Sequence, residues 1–114
     1  MSKRNVTHAY SAGGVVFRQA DSSGQIEVVL VGRNPAKLVA AVERLRRETP
    51  TVQVESFVCD FAVLADVRKL AADLLAAYPR IDVLVNNAGT VYDKRSLTVD
   101  GYESTFAVNH LAPF

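Results

Sequence analysis

The chain has 114 residues, of which 49% are hydrophobic and 22% charged, and its formal net charge is +1. This balance is typical of one soluble globular domain and shows no charge excess that would indicate a nucleic-acid or membrane partner. The single cysteine excludes an intramolecular disulfide. No stretch reaches the ~18 apolar residues of a membrane span, and the polar first ten residues do not resemble a signal peptide. We therefore expect a cytoplasmic protein.

Two valine-rich runs open the chain, at 12–18 and 26–33. The seven residues between them include Asp, two Ser and Gly, which is a composition typical of loops. Seven residues are too few for a crossover between parallel strands, which needs a dozen or more. The two runs therefore predict an antiparallel hairpin.

The pattern becomes helical at Asn34 and Pro35, which suit the N-cap and the first position of a helix. Apolar residues then recur at helical spacing until Thr49 and Pro50 end the helix. A strand is predicted over 52–58.

A second amphipathic helix follows and ends at Pro79. The next apolar run, 81–85, predicts a central strand that is buried on both faces. A last helix opens at Thr98, Asp100 or Ser104 and continues to the end of the sequence. This alternation predicts an α/β fold, a single domain over 1–114 whose helices pack on a mostly parallel sheet.

Ordered motifs stand at the ends of these elements: RNPAKL at 33–38, CDF at 59–61, NNAG at 86–89, and LTVDGYE at 97–103 leading to VNHLAPF at 108–114. On these motifs, residues 34–114 resemble the interior of a short-chain dehydrogenase/reductase of the retinol-dehydrogenase-like kind. The resemblance implies a Rossmann-like βαβαβα arrangement for this segment.

The first 33 residues resemble a different family. The hairpin sequences SAGGVVFR at 11–18 and EVVLVGR at 27–33 are similar to the opening of a Nudix hydrolase, although its magnesium-binding catalytic helix does not follow. We therefore expect a chimera of 1–33 and 34–114, an engineered or de novo protein made by recombination of segments. A truncated or rearranged natural gene is the alternative.

The resemblance also implies a sheet order. If 12–18 takes the place of the family's first strand, the order is 52–58, 26–33, 12–18, 81–86, with 12–18 antiparallel to the others. This gives a mixed sheet of about four strands. The C-terminal end of an antiparallel strand faces away from the cofactor crevice, and no helix follows Gly13-Gly14, so we expect the pyrophosphate site to be lost.

Six positions match cofactor-binding positions of the family and are expected to be remnants. By resemblance, Asp60 contacts the adenine ring, Arg33 with its neighbour holds a 2′-phosphate, and the turn at 87–89 lies near the ribose. The alternatives are a strand-end cap for Asp60, a surface arginine for Arg33 and a structural turn at 87–89. The six positions are Arg33, Asn34, Asp60, Asn87, Ala88 and Gly89.

A catalytic set is not apparent. Asn109 matches the asparagine that supports the family's proton relay, but the family's tyrosine and lysine four residues apart would lie beyond residue 114. Tyr92 precedes Lys94, and Tyr102 precedes Phe106, so neither tyrosine has that spacing. General acid–base work needs a positioned donor. We therefore expect no enzyme, no selected activity and no cofactor, with weak binding of NAD, NADP or another adenine nucleotide as the alternative.

The remaining expectations concern metals and association. His8, His110 and the lone cysteine are too dispersed to predict a metal site. Val108, Leu111 and Phe114 can present an apolar helix face, which predicts a homodimer, with or without exchange of segments.

Overall fold

The structure, a computed structural model, describes residues 14–20 by their backbone and residues 24–114 in full. Its four strands are β1 (Gly14–Ala20), β2 (Gln25–Gly32), β3 (Gln53–Val58) and β4 (Val83–Val85). Its helices are α1 (Pro35–Glu48), α2 (Leu64–Ala77) and α3 (Ser104–Phe106), and α3 continues into a π-helical turn at Ala107–Leu111.

The strands form one mixed sheet in the order β3-β2-β1-β4. β2 and β3 are parallel, whereas β1 is antiparallel to both of its neighbours. It follows that β2, β3 and β4 all run in the same direction. The predicted α/β class is confirmed. Residues 12 and 13 of the first predicted strand lie outside the described residues.

The start of α1 is the one predicted from the sequence. The Asn34 side chain accepts a hydrogen bond from the backbone N–H of Lys37 at 3.1 Å, and Pro35 occupies the first turn. Leu38 and Val42, one turn apart, are buried on the side that faces the sheet. The helix ends at Thr49, as predicted, where the backbone N–H reaches the Leu45 carbonyl at 2.8 Å.

The core consists of two clusters on opposite faces of β2, because successive side chains of a strand point to opposite sides. Val28 and Leu30 pack with Val54 of β3 against α1. Val29 and Val31 pack on the other face, against α2. The α2-side cluster also contains Cys59, Leu74 and Tyr78.

The prediction for the strand near residue 81 is wrong in two respects. The strand spans Val83–Val85 only, and it lies at the edge of the sheet instead of being buried on both faces. Its side chains are 48%, 59% and 36% exposed in chain order. An apolar strand is buried only where other elements cover it, and in the described part of the chain α1 and α2 pack on β2 and β3 instead.

The last helix begins at Ser104, one of the predicted opening residues. Its N-cap is Glu103, whose carboxylate accepts hydrogen bonds from the N–H groups of Thr105 and Phe106 at 3.0 and 2.8 Å. Of the three predicted opening residues, Ser104 is confirmed and Thr98 and Asp100 are wrong, and the cap at Glu103 was not predicted. These hydrogen bonds lower the pKa of the Glu103 carboxyl, because they stabilise its charged form. Within the described residues, no helix is both long and apolar enough to cross a membrane.

Candidate functional site

The strand register brings three chain segments to one edge of the sheet. Val15 of β1 pairs with Leu30 on one side and with Val85 on the other, and Leu30 pairs with Ser56 of β3. The parallel strands β2, β3 and β4 are therefore aligned, and their carboxyl ends lie side by side. We call this edge, formed by 33–34, 59–61 and 86–90, the carboxyl edge.

Arg33 and Asn34 leave β2 at this edge. The N–H of Cys59 donates to the Gly32 carbonyl at 2.9 Å, which holds the two strand ends at the same level. Arg33 is exposed, so its guanidinium can reach a ligand in solvent. The side-chain oxygen of Asn34 is engaged in capping α1. The structure thus gives Asn34 the role of a helix cap.

Asp60 lies in the turn between β3 and α2 and is half-buried. One of its carboxylate oxygens accepts a hydrogen bond from the Ala62 N–H at 2.9 Å, and its carbonyl accepts one from Val63 at 3.0 Å. These bonds orient the carboxylate. Both predicted aspects of Asp60, a strand-end turn and a group at the cofactor edge, are compatible with this geometry.

Cys59 is buried at 3% exposure. Burial and, after it, the negative charges of Asp66 and Asp60 raise the pKa of its thiol to about 11. Its thiol therefore stays protonated near neutral pH and is a poor nucleophile.

The segment after β4 is tied to the last helix by Asn109. Its side-chain oxygen accepts from the Thr90 N–H, and its side-chain nitrogen donates to the Thr90 carbonyl, each at 2.8 Å. A side-chain carbon added at Gly89 would lie 3.9 Å from the Asn109 oxygen, an ordinary contact. Close packing therefore does not require glycine at position 89.

Two residues of this region were missed in the sequence analysis. Thr90 is the backbone partner of Asn109, 19 residues away in sequence. Asp100 accepts a hydrogen bond from the N–H of Leu64, the first residue of α2, at 2.9 Å. Contacts between residues this far apart in sequence leave no local pattern that could have predicted them.

The groups at the carboxyl edge suit the adenosine half of a dinucleotide. A guanidinium can bind a phosphate with two parallel hydrogen bonds, and an oriented carboxylate can accept hydrogen bonds from adenine or ribose. Within the described residues, no group of three or more His, Cys, Asp or Glu side chains could hold a metal ion.

Comparisons with known proteins show which family the chain resembles. The sequence profile described as short chain dehydrogenase matches residues 14–114. A protein named "Putative daunorubicin C-13 ketoreductase DnrU" from Streptomyces sp. (strain C5) is 41% identical over 109 residues, which cover 96% of this chain and 38% of that protein. Human WW domain-containing oxidoreductase is 38% identical over 109 residues, covering 96% of this chain and 26% of its own. Human retinol dehydrogenase 13 is 37% identical over 87 residues, which cover 76% of this chain and 26% of that protein.

The chain thus spans between about a quarter and two fifths of the length of these relatives. No solved structure matches it.

These findings overturn the prediction of a chimera without selected activity. The family match begins at residue 14, inside the hairpin that was assigned to a Nudix hydrolase. Residues 1–33 are more than a quarter of the chain, so a relative that matches 96% of it must also match part of them. The comparisons give no support for a Nudix segment.

The predictions of no enzyme and of no cofactor are also wrong. The matching family consists of dehydrogenases and its named relatives include oxidoreductases, and members of this family normally use NAD or NADP. On the match over 14–114, the chain belongs to the short-chain dehydrogenase/reductase family.

Proposed function

We propose that this chain is part of an NAD(P)-dependent oxidoreductase and that its carboxyl edge binds the adenosine end of the cofactor. The observation that carries the proposal is the register of the sheet. It brings Arg33, Asp60 and the segment 87–89 to the ends of three strands that run in the same direction. Crevices at the carboxyl ends of parallel strands are the usual ligand sites of open α/β sheets.

Each of these groups has a chemical role in the proposal. The exposed guanidinium of Arg33 binds the 2′-phosphate of NADP, for which its planar fork is suited. The Asp60 carboxylate, oriented by the Ala62 N–H, accepts hydrogen bonds from the adenosine. The segment 87–89 lies against the ribose, and Asn109 holds the residue that follows it, Thr90.

The reaction proposed is the interconversion of an alcohol and a carbonyl compound. A bound nicotinamide cofactor supplies or accepts the hydride in such reactions. The support for this reaction is the family itself, together with relatives named as a ketoreductase and a retinol dehydrogenase. In the proposal, this chain binds and orients the cofactor, and Asn109 acts by positioning.

Calorimetric titrations of NADP⁺ and NAD⁺ test the binding proposal. Arg33→Ala is expected to weaken NADP⁺ binding about tenfold and to leave NAD⁺ binding nearly unchanged, because it removes one charged pairing with the 2′-phosphate. Asp60→Ala is expected to weaken both. Arg47→Ala is the matched control, since Arg47 is an exposed arginine at the opposite end of α1, roughly 20 Å away. Equal affinities for all variants would contradict the proposed site.

We also propose that the antiparallel hairpin of β1 and β2 is the arrangement in solution. The short connection supports it, since β1 ends at Ala20 and β2 begins at Gln25. Nuclear Overhauser contacts between facing residues such as Phe17 and Val28 are expected in an antiparallel pair. Contacts in a parallel register would contradict this arrangement.

Association of the chain as a homodimer is a further proposal. Its support is an aromatic row along the last helix, in which His110 stacks between Phe106 and Phe114 with ring centroids 5.0 and 6.4 Å apart. Phe114 is fully exposed and Phe106 is 48% exposed. Light scattering is expected to give twice the monomer mass, and Phe114→Ser is expected to shift the mass toward that of the monomer. A monomer mass for the unsubstituted chain at high concentration would contradict the proposal.

A further inference from the structure

We infer that Asp100 is a positioning residue for the proposed cofactor site. Its carboxylate holds the N-terminus of α2 and, through that helix end, the turn that carries Asp60. The inference rests on the proposed function, because it assigns the same site a residue that lies 40 positions further along the chain.

The first step is the capping of α2. The first N–H groups of a helix have no partner inside the helix, and a polar side chain just before the helix usually accepts one of them. The residue at that position here is Val63, whose apolar side chain cannot do so. Asp100 takes over this task, since its Oδ2 accepts the Leu64 N–H at 2.9 Å from 36 residues away. A carboxylate is favourable there because the N-terminal end of a helix carries partial positive charge.

The second step is the connection from that helix end to Asp60. The Asp60 carboxylate accepts from Ala62, and its carbonyl accepts from Val63. The Val63 carbonyl in turn accepts from Asp66 and Val67, at 3.1 and 3.2 Å, in the first turn of α2. Hydrogen bonds therefore run without a break from Asp60 into the helix, and Asp100 binds the helix where they meet.

The third step is the rigidity of the loop that presents Asp100. The N–H of Gly101 donates to the Thr98 carbonyl at 2.9 Å, and Gly101 has a φ of +83°, a conformation that favours glycine. Around this turn, the N–H of Thr98 donates to the Tyr102 carbonyl at 2.7 Å. At the base of the loop, Ser104 donates to the Ser96 carbonyl at 2.9 Å. The Asp100 carboxylate is thus presented by a closed loop and not by a freely moving chain.

Positioning and charge predict opposite effects on binding, which makes the inference testable. Removing a negative charge near an anionic ligand strengthens binding if charge alone matters. Removing a positioning residue weakens binding, because the turn carrying Asp60 then samples other conformations. The sign of the change in affinity therefore distinguishes the two effects.

The experiment compares the full chain with Asp100→Ala, Asp100→Asn and Asp93→Ala. Asp93 is an exposed carboxylate of the neighbouring segment, so its removal changes the charge equally without touching the capping bond. Amide hydrogen exchange is measured at Leu64 and Ala62 without ligand, and NADP⁺ affinity is measured by calorimetry. For Asp100→Ala we expect about fivefold faster exchange at both amides, the usual cost of a lost cap, and at least threefold weaker binding. Asp100→Asn keeps an acceptor oxygen, so its exchange rates and NADP⁺ affinity are expected to lie between those of Asp100→Ala and the unsubstituted chain. Asp93→Ala is expected to match the unsubstituted chain in both measurements.

Two results would overturn the inference. One is unchanged exchange at Ala62 in Asp100→Ala, which would mean that the cap does not reach the Asp60 turn. The other is unchanged or tighter NADP⁺ binding by that variant while the unsubstituted chain binds normally. A complete lack of NADP⁺ binding by the unsubstituted chain would instead contradict the proposed function, and the exchange at Ala62 would still decide the role of Asp100 in holding the turn.

Discussion

Strands β2 and β4 have similarly apolar sequences but lie in different surroundings. In β2, the residues Val28 to Val31 are between 2% and 7% exposed. In β4, the equally apolar residues Val83 to Val85 are between 36% and 59% exposed. The first strand lies between α1 and α2, which pack on its two faces, whereas the second lies at the sheet edge.

This contrast shows that the apolar character of a strand does not by itself determine its burial. What determines it is which helices lie over the strand, and that depends on topology. The stability of the described structure should therefore reside in β2, β3, α1 and α2. In the proposed site, Arg33 and Asp60 follow the well-packed strands β2 and β3, and the segment 87–89 follows the exposed strand β4.

The largest difference between β2 and β4 is expected when a charge is placed on each strand. Val29→Asp is expected to lower the free energy of unfolding by about 4 kcal/mol or more, because it buries an unpaired carboxylate among the residues packed against α2. Leu84→Asp, on the exposed strand, is expected to change it by less than about 0.5 kcal/mol. Urea unfolding of both variants measures the difference. Similar losses in the two variants would mean that β4 is as well packed as β2.

Neighbouring leucines of α2 provide a smaller, matched test. Leu74 is 8% exposed and packs against β2, whereas Leu75 is 73% exposed. Leu74→Ala is expected to cost about 3 kcal/mol, since it leaves a cavity in the core, and Leu75→Ala less than about 0.5 kcal/mol. The midpoints of thermal or urea unfolding give both values. Equal effects would contradict the orientation of α2 on the sheet.

The buried thiol predicts a dependence on pH in the stable half. The pKa of Cys59 is raised from 9.0 to about 11, so the folded state disfavours the thiolate. This contribution to stability is fully present below pH 9 and is lost as the pH rises towards 11, by roughly 2 kcal/mol in all. Cys59→Ala should remove this part of the loss of stability at alkaline pH. The free energy of unfolding, measured as a function of pH for both proteins, gives the difference. The same dependence of the unfolding free energy on pH in both proteins would contradict a contribution from the Cys59 thiol.

The smallest effect is expected at the cap of α1. Asn34→Ala is expected to cost about 1 kcal/mol, because the N–H of Lys37 loses its acceptor. Asn34→Asp, which keeps an acceptor oxygen, is the control and should cost little. Thermal unfolding measures both. An equal loss of stability in the two variants would show that Asn34 does not stabilise the protein through the cap.

Much of the stable half could be predicted from the sequence because its signals are local. The cap at Asn34 and the helix end at Thr49 each depend on neighbouring residues. The exposure of β4 could not be predicted in this way. Its apolar run is typical of a buried central strand, although the strand order implied by the family resemblance already placed it at the edge of the sheet.

The candidate site was predictable in part for the same reason. Motif positions such as Arg33 and Asp60 could be assigned by resemblance, and the order of the parallel strands then brings them to one edge. The capping of α2 by Asp100 and the bonds between Asn109 and Thr90 join distant segments, and the sequence contains no periodic signal for them. The functional conclusion failed for a different reason, since absent motifs were interpreted as absent function.

The most direct test of the proposed function is a titration of the isotope-labelled chain with NADP⁺, followed by NMR. We expect saturable shifts confined to the carboxyl edge, at Arg33, Asp60 and Gly89, with the amides of the opposite edge, around Gln25 and Thr51, unmoved. A well-dispersed spectrum that does not change at any NADP⁺ concentration would contradict the claim that this edge is a cofactor site.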